Sequence, residues 1–344
     1  MRETMNIHDI MKKTAAQEAF THEEVVKMLS IDPKSRDAAL LIGEASRISR
    51  ELTDNTAEVH GQFALNLSPC PVNCEFCAFS SNYGIFTEKK ELTVGECAAY
   101  AKGFDDTPEN ASVFLMTTAN YDFGKLIEIA QEVKKILRPD TQMIANVGDM
   151  SPEKAKKMKD AGFHGAYHAI RMGEGDKTKA PVKQRMATIR GFQEAGLVVG
   201  TCVEPVGPEH TNDEIAEKIL MAASFDPAFS GSMRRITIPG SSLEKYGMIS
   251  ELRLAQIVAV TRIATPFTVK GNCTHEPNVL GACSGANLFW AEVGGNPRDT
   301  TDKTEEGRGV SVGDCANLLK EAEWKVTTAP SSYYNKKHVK FAEY

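Results

Sequence analysis

The sequence lacks a surplus of positive charge: 40 lysines and arginines stand against 46 aspartates and glutamates, a net charge of −6. Neutralising a phosphate backbone needs a basic face, so nucleic acid is not expected as an obligate partner. Nor does any stretch approach the ~20 apolar residues of a membrane span. The opening segment, Met1 to Phe20, has no apolar run of signal-peptide length. The expectation is a cytoplasmic protein whose eight cysteines are reduced thiols or metal ligands rather than disulfides. Low-complexity linkers and internal repeats are absent too, and 344 residues suit one large core.

Against that background one segment stands out. Cys70-Pro71-Val72-Asn73-Cys74-Glu75-Phe76-Cys77 places three cysteines at Cys-x3-Cys-x2-Cys spacing. Three thiolates this close, on a loop leaving a strand, can each hold one corner of a [4Fe–4S] cube. No fourth cysteine is near, so the fourth iron stays open to an exogenous ligand, an arrangement for chemistry rather than simple electron carriage. Structural zinc would want four ligands in paired knuckles, and no histidine sits at finger spacing.

Elsewhere the chain alternates between two periodicities. Residues 7–57 have a helical pattern, with Thr21-His22-Glu23-Glu24 as a capping box before Val25. Strand-like runs are expected at Phe63–Leu67, Ser112–Met116, Met143–Val147, His164–Ile170, Leu197–Val203, Arg235–Ile238, Phe267–Lys270 and Ala286–Trp290. Helical patterns fall between them at Thr93–Lys102, Lys125–Ile136, Pro152–Ala161, Lys183–Ala195, Asp213–Ala222 and Glu251–Ile263. Strands alternating with helices imply parallel pairing and right-handed crossovers, hence an α/β TIM-type (β/α)8 barrel, complete or partial with six strands. The expected division is an N-terminal helical extension over 1–57, the barrel over 58–325 and a C-terminal tail over 326–344. Within that tail, Tyr333 and Tyr334 either pack over the barrel or belong to a disordered end.

Barrel enzymes carry their chemistry at the C-terminal ends of the strands. The cysteine loop follows the first strand. Thr117, Thr118 and Asn120 follow the second, Asn146 and Asp149 the third, and His168, Arg171 and Glu174 the fourth. Cys202 and Glu204 end the fifth, Ser241 and Ser242 follow the sixth, and Lys270, Asn272, Cys273, His275 and Glu276 end the seventh. Each has a bland reading as a loop residue or cap; together they make a polar mouth. Cys202, Cys273 and Cys283, with His275 as a fourth ligand, could hold an auxiliary iron–sulfur cluster, or be small apolar fillers, as free cysteines commonly are. Cys97 and Cys315 lie in amphipathic helices and read as packing residues. The charged segment Asn296–Arg308 reads as a solvated loop or a lid.

The cysteine spacing, with an aromatic residue before the third cysteine, resembles the signature of the radical S-adenosylmethionine (SAM) superfamily. Over about residues 20–325 the chain is similar to its biotin synthase-like branch, which includes biotin synthase, methylornithine synthase and the radical maturase of [FeFe]-hydrogenase. The likeness includes Arg185 to Gly196, Glu204-Pro205-Val206-Gly207-Pro208-Glu209 and Gly285-Ala286-Asn287-Leu288. It implies a [4Fe–4S] cluster on Cys70, Cys74 and Cys77, SAM as cofactor, Arg185 as a SAM-binding residue, and Val206-Gly207 and Phe76 as adenine contacts. The Gly-Gly-Glu segment common in the superfamily is replaced by Met116-Thr117-Thr118-Ala119-Asn120, where carbonyls and the Thr118 hydroxyl substitute. Ala169 and Arg171 stand where biotin synthase offers Asn and Asp to the ribose, leaving His168 or Glu174 to take over. The four ligands of biotin synthase's second cluster are missing from their places, which argues against biotin synthase itself.

The resemblance implies a radical SAM enzyme of cofactor biosynthesis that abstracts hydrogen from an unactivated C–H bond, with sulfur insertion of the biotin or two-protein lipoyl type as first reading. A one-cluster mutase, lyase or metallocofactor maturase is the alternative, and a non-catalytic iron–sulfur or zinc scaffold for a partner protein the third. It further implies a small-molecule or carrier-bound substrate and a low-potential electron donor such as ferredoxin or flavodoxin.

Overall fold

Alternating residues along the central strands divide between two apolar environments, as a period of two requires when both faces of a sheet are covered. The structure, a computed structural model, describes residues 6–336. Its strands are β1 (Thr56–Ala64), β2 (Asn110–Met116), β3 (Gln142–Asn146), β4 (Phe163–Tyr167), β5 (in two segments, Val198–Gly200 and Val203–Val206), β6 (Phe229–Arg234), β7 (Gly271–Cys273) and β8 (Leu288–Val293). All neighbours pair in parallel, and β1 lies between β2 and β8. The ring closes through β5. Gly200 O accepts from His168 N at 3.0 Å beyond β4, and on the other side Val199 O accepts from Ala228 N at 2.7 Å while Thr201 N donates to Phe229 O at 3.1 Å. The interruption at Thr201-Cys202 is a break in one strand, so the barrel has eight staves, as the alternation of elements implied.

Val59 and Phe63 of β1, Val113 and Leu115 of β2 and Phe289 of β8 face outward into a core shared with the surrounding helices. Phe114, Ile144, Leu288 and Trp290 face the lumen. The N-terminal helices Ile7–Ala15, His22–Leu29 and Arg36–Thr53 form a second core with helices Asn212–Ser224 and Glu251–Ala264, through Met28, Leu29, Leu41 and Ile48 against Ile219, Ile257 and Ile263. Thr21 caps the second of these helices reciprocally with Glu24.

Three strands sit elsewhere than the pattern suggested. The first is Thr56–Ala64 rather than Phe63–Leu67, so it begins at the end of the expected helical extension. The sixth is Phe229–Arg234 rather than Arg235–Ile238: Phe229 and Met233 turn to the lumen, while Ser232 turns outward, its Oγ 2.8 Å from Thr261 Oγ1 of helix Glu251–Ala264. Gly231 there has φ +138°, and a Cβ would meet the Cys273 backbone at 2.2 Å, so the spacing to β7 requires glycine. The seventh is Gly271–Cys273, which moves Lys270 to the strand's N-terminal side, exposed and away from the mouth.

The lower lumen is closed by the chain's own C-terminal segment. Lys325–Val326 pairs with the start of β1, and Tyr333 and Tyr334 then enter the barrel, 2% and 4% exposed. Buried Glu58 fixes this segment, accepting from Ser331 Oγ (2.5 Å), Ser332 N (2.7 Å) and Ser332 Oγ (3.0 Å). These residues of the expected tail are thus barrel core, because two large rings fill a lumen that small strand residues leave open; 337–344 lie outside the described residues, as do 1–5.

Tyr334 packs against His60, Phe114 and Phe229, and its hydroxyl has no hydrogen-bond partner among the described residues. Tyr334→Ala should therefore lower the unfolding free energy by about 3–5 kcal/mol, whereas Tyr334→Phe should be neutral or slightly stabilising. Denaturant titration of both variants checks this; equal losses would show that the hydroxyl, not the ring, matters there.

Candidate functional site

The upper half of the lumen is polar and open. A cavity lies over it. Its lining includes Cys70, Cys74 and Cys77 from the loop after β1, Thr118 after β2, Arg171 after β4, Arg185 from helix Val182–Glu194, Glu204 on β5, His275 after β7, and Glu292 and Arg298 on and after β8.

The cysteine loop is held by its own turns and by two neighbouring loops. Cys70 N donates to Phe79 O at 2.7 Å and Cys77 N to Cys74 O at 3.1 Å. Asn73 adopts φ +51°, which Asn tolerates better than most residues, and its Oδ1 accepts from Ser81 Oγ at 2.6 Å and Ser80 Oγ at 3.1 Å. Outside contacts come from Lys179 N to Val72 O (2.8 Å) and Ala78 N to Pro297 O (2.8 Å). All three thiols are unpaired and half-buried. Burial pushes the Cys74 thiol up to about 11 against the pull of Arg171, and pushes Cys77 up further. Such thiols become thiolates when a metal supplies positive charge.

Opposite the loop stands a chain of charged groups. Arg171 Nε lies 3.3 Å from Glu204 Oε1. Arg185, 4% exposed, has Nε 3.4 Å from Glu174 Oε2, and its Nη1 lies 3.5 Å from Asp149 Oδ1 and 3.2 Å from His168 Nε2. His168 and Glu174 are not in the lining; they stand behind Arg185 and Arg171. Glu174 accepts from Thr178 Oγ1 at 2.5 Å and from Arg171 N at 3.1 Å. Thr118 and Asn66 are tied twice, Asn66 Nδ2 donating to Thr118 Oγ1 at 2.7 Å and Thr118 N donating to Asn66 Oδ1 at 3.0 Å. Phe76 lines the cavity from the cysteine loop. Val206 and Gly207 do not: they border a separate depression with Pro208, His210 and Met248, and Arg235 packs against Gly207.

Lower in the lumen the structure brings Cys202, Cys273 and His275 together, their ligand atoms all within 4.8 Å of one another. Cys283 does not join them, being exposed on helix Val279–Cys283.

Sequence reasoning missed Gln62, Tyr167, Glu292 and Arg298. Glu292 is fully buried, accepting from both Arg298 Nη2 contacts at 2.8 Å and from Arg308 at 3.1 Å. Burial opposes its charge, but Arg298 and Arg308 outweigh that and lower its pKa. The available signal was a carboxylate inside the apolar run Leu-Phe-Trp-Ala-Glu-Val. The Asn296–Arg308 segment is accordingly mixed: Asn296, Arg298 and Thr304 are buried against the barrel mouth, whereas residues 300–303 and 305–307 are exposed.

Comparison with known proteins agrees with this arrangement. Residues 69–222 match the radical SAM superfamily. The chain is 25% identical over 250 residues to biotin synthase of Anaplasma marginale (strain Florida), covering 69% of this chain and 77% of that one. Against biotin synthase of Persephonella marina the identity is 24% over 274 residues, with 76% and 78% covered. In fold, it is similar to methylornithine synthase, with a TM-score of 0.78 at 17% identity over 94% of this chain and 98% of that one. The [FeFe]-hydrogenase maturase HydG of Carboxydothermus hydrogenoformans gives 0.76 at 16% identity over 96% and 81%.

The buried His168 yields a pH prediction. Burial, its largest influence, depresses the ring's pKa to about 4 despite Asp149. Above pH 6.5 the ring is neutral folded or unfolded and contributes no pH dependence. As pH falls from 6.5 towards 4 the unfolded chain binds a proton that the folded chain refuses, so stability falls by up to about 3 kcal/mol. His168→Gln should flatten the fall in unfolding free energy across that window, measured by denaturant titration at half-unit pH steps. An unchanged slope would place the titration elsewhere.

Proposed function

We propose that this chain, whose residues 69–222 match the radical SAM superfamily, is an enzyme abstracting hydrogen from an unactivated C–H bond of a small-molecule or carrier-bound substrate in cofactor biosynthesis. The observation that carries this reading is that the unpaired thiols of Cys70, Cys74 and Cys77 line the same cavity as Arg171, Arg185 and Thr118. The donor set fits a [4Fe–4S] cluster with one iron open to SAM's amine and carboxylate. When bound, the cluster and SAM supply by one-electron cleavage a 5′-deoxyadenosyl radical, a reagent no side chain can replace.

The protein's part is positioning and exclusion of solvent. Arg185 presents a cation towards SAM, held in place by Asp149, His168 and Glu174, which position it without reaching the cavity. The Arg171–Glu204 pair sets a polar wall of fixed charge. Thr118 has its hydroxyl engaged by Asn66 and its carbonyl accepting from Tyr121 N at 3.2 Å, which leaves one carbonyl lone pair for a ligand near the strand end. Phe76 supplies an apolar face for the adenine from the cavity lining, whereas Val206 and Gly207 follow Pro205, the last residue of β5 in that lining. A low-potential donor such as ferredoxin or flavodoxin would deliver the electron at the half-exposed cysteine loop.

Among reactions, sulfur insertion at an aliphatic carbon is favoured by the buried Cys202–Cys273–His275 group beneath the same cavity, a second sulfur-rich site that a simple hydrogen abstraction does not need. A one-cluster mutase, lyase or maturase would leave these residues as core filler.

Anaerobically reconstituted protein should bind about four irons at the cysteine loop and release 5′-deoxyadenosine from SAM under dithionite. The Cys70/Cys74/Cys77→Ala variant should release none; release at the parent rate would sink the proposal. Arg185→Gln should keep the cluster and weaken SAM binding by about tenfold to a hundredfold, roughly 1.4–2.7 kcal/mol. Equilibrium titration of SAM against both proteins measures it.

A further inference from the structure

Fully enclosed in the barrel, the Cys202 and Cys273 sulfurs lie 3.8 Å apart. A disulfide would need about 2.0 Å. Two thiolates on one tetrahedral ion, each at ~2.3 Å, stand about 3.8 Å apart. Thiolates on different irons of a cubane stand farther apart, so the spacing suits one shared ion, as it also suits a thiol–thiol hydrogen bond, and the distinction rests on the histidine. We propose that Cys202, Cys273 and His275 form a binding site for a single soft divalent cation, zinc or ferrous iron, with its fourth coordination position turned to the cavity and open to sulfide or a thiolate.

Four features argue for a ligand rather than packing. His275 is 7% exposed, and its Nε2 has no hydrogen-bond partner among the described residues, a costly arrangement for a ring that only packs. Its ring is stacked on Trp290, centroids 4.1 Å apart and planes 7° from parallel, which fixes its orientation as a ligand needs. Two thiolates and one dication sum to zero charge, the condition under which such a group can be buried. Thiolate and imidazole donors select zinc, iron or copper over magnesium or calcium.

The open position follows from the lining. His275 and Tyr167 border the cavity, whereas the two cysteines lie below it. The Tyr167 hydroxyl, buried and without a partner among the described residues, stands beside this position as a donor for a fourth ligand. As a holder of sulfide or thiolate, the site rests on the reading of the cavity as the place of radical chemistry. As a metal site it does not.

The test uses the anaerobically reconstituted full-length holoprotein, washed with chelator and titrated with Zn²⁺. One zinc per chain should be retained beyond the four irons, with X-ray absorption showing two sulfurs at ~2.3 Å and one nitrogen at ~2.0 Å. Added hydrosulfide should raise the sulfur count from two to three. Cys202→Ala and Cys273→Ala should each lose the zinc while circular dichroism and iron content are unchanged. No retained zinc in the folded parent, zinc retained by both variants, or additional iron with matching labile sulfide at these residues would overturn the single-ion site. A sulfur count fixed at two would overturn the open position. Zinc retention requires neither SAM nor an electron, so a failed site with intact 5′-deoxyadenosine release leaves the radical reading standing, and the converse holds.

Discussion

A carboxylate cannot remain ionised inside a barrel unless cations surround it, and Glu292 is the place where this chain meets that demand. Arg298 and Arg308 reach back from the segment after β8 to pair with it, and Gln62 of β1 donates to it at 3.2 Å. Removing either arginine would strand a buried charge, so the pairing compels the segment to fold over the mouth. Two further ties follow. Arg298 Nη1 donates to His275 O at 3.0 Å, fixing the residue after β7, and the neighbouring Pro297 O receives Ala78 N from the cysteine loop. One ion network thus joins the roof of the cavity to both groups of candidate ligands.

Along the barrel axis the lumen changes character in steps. At the bottom Tyr333, Tyr334, Phe114, Phe229 and Trp290 fill the ring with aromatic volume and close it to solvent. Above them lie the two thiols and His275, then Gln62, Asn146 and Glu204, then the cysteine loop. Asn146 Nδ2 donates to Gln62 Oε1 at 2.9 Å, so this layer is bonded across the lumen rather than hydrated independently. Such a gradient gives a radical a closed floor and a polar wall. Among the described residues no helix is long and apolar enough to cross a membrane.

The sequence was most legible where local chemistry is short-range. Cysteine spacing, the Thr21 capping box and the alternation of strands with helices all depend on residues within a few positions of one another. The sixth strand was hidden because its outward face carries Ser232, which bonds Thr261 of the covering helix, and hydropathy does not mark a strand with such small polar residues. Glu292, Arg298 and Gln62 come together across 236 positions of chain (62 to 298), and no local pattern announces that meeting. The same limit explains Cys283, which has the sequence proximity of a ligand to Cys273 but faces away on its own short helix. Tyr333 and Tyr334 were obscured for a related reason: a terminal segment shows its place only once the hole it fills exists.

The protonation of the cysteine loop orders its assembly. Burial holds Cys74 and Cys77 in the thiol form, and the cation that relieves Cys74 is Arg171, itself drawn to Glu204 and Glu174. With that guanidinium already neutralised by carboxylates, little positive charge is left to stabilise three thiolates. Deprotonation must therefore accompany metal entry, and loading of the loop should release protons and slow as pH falls. Arg185, the second cation acting on Cys74, is likewise paired with carboxylates. Its carboxylate partners, Asp149 and Glu174, lie behind it, so its open side is free for an anionic group once the loop is filled.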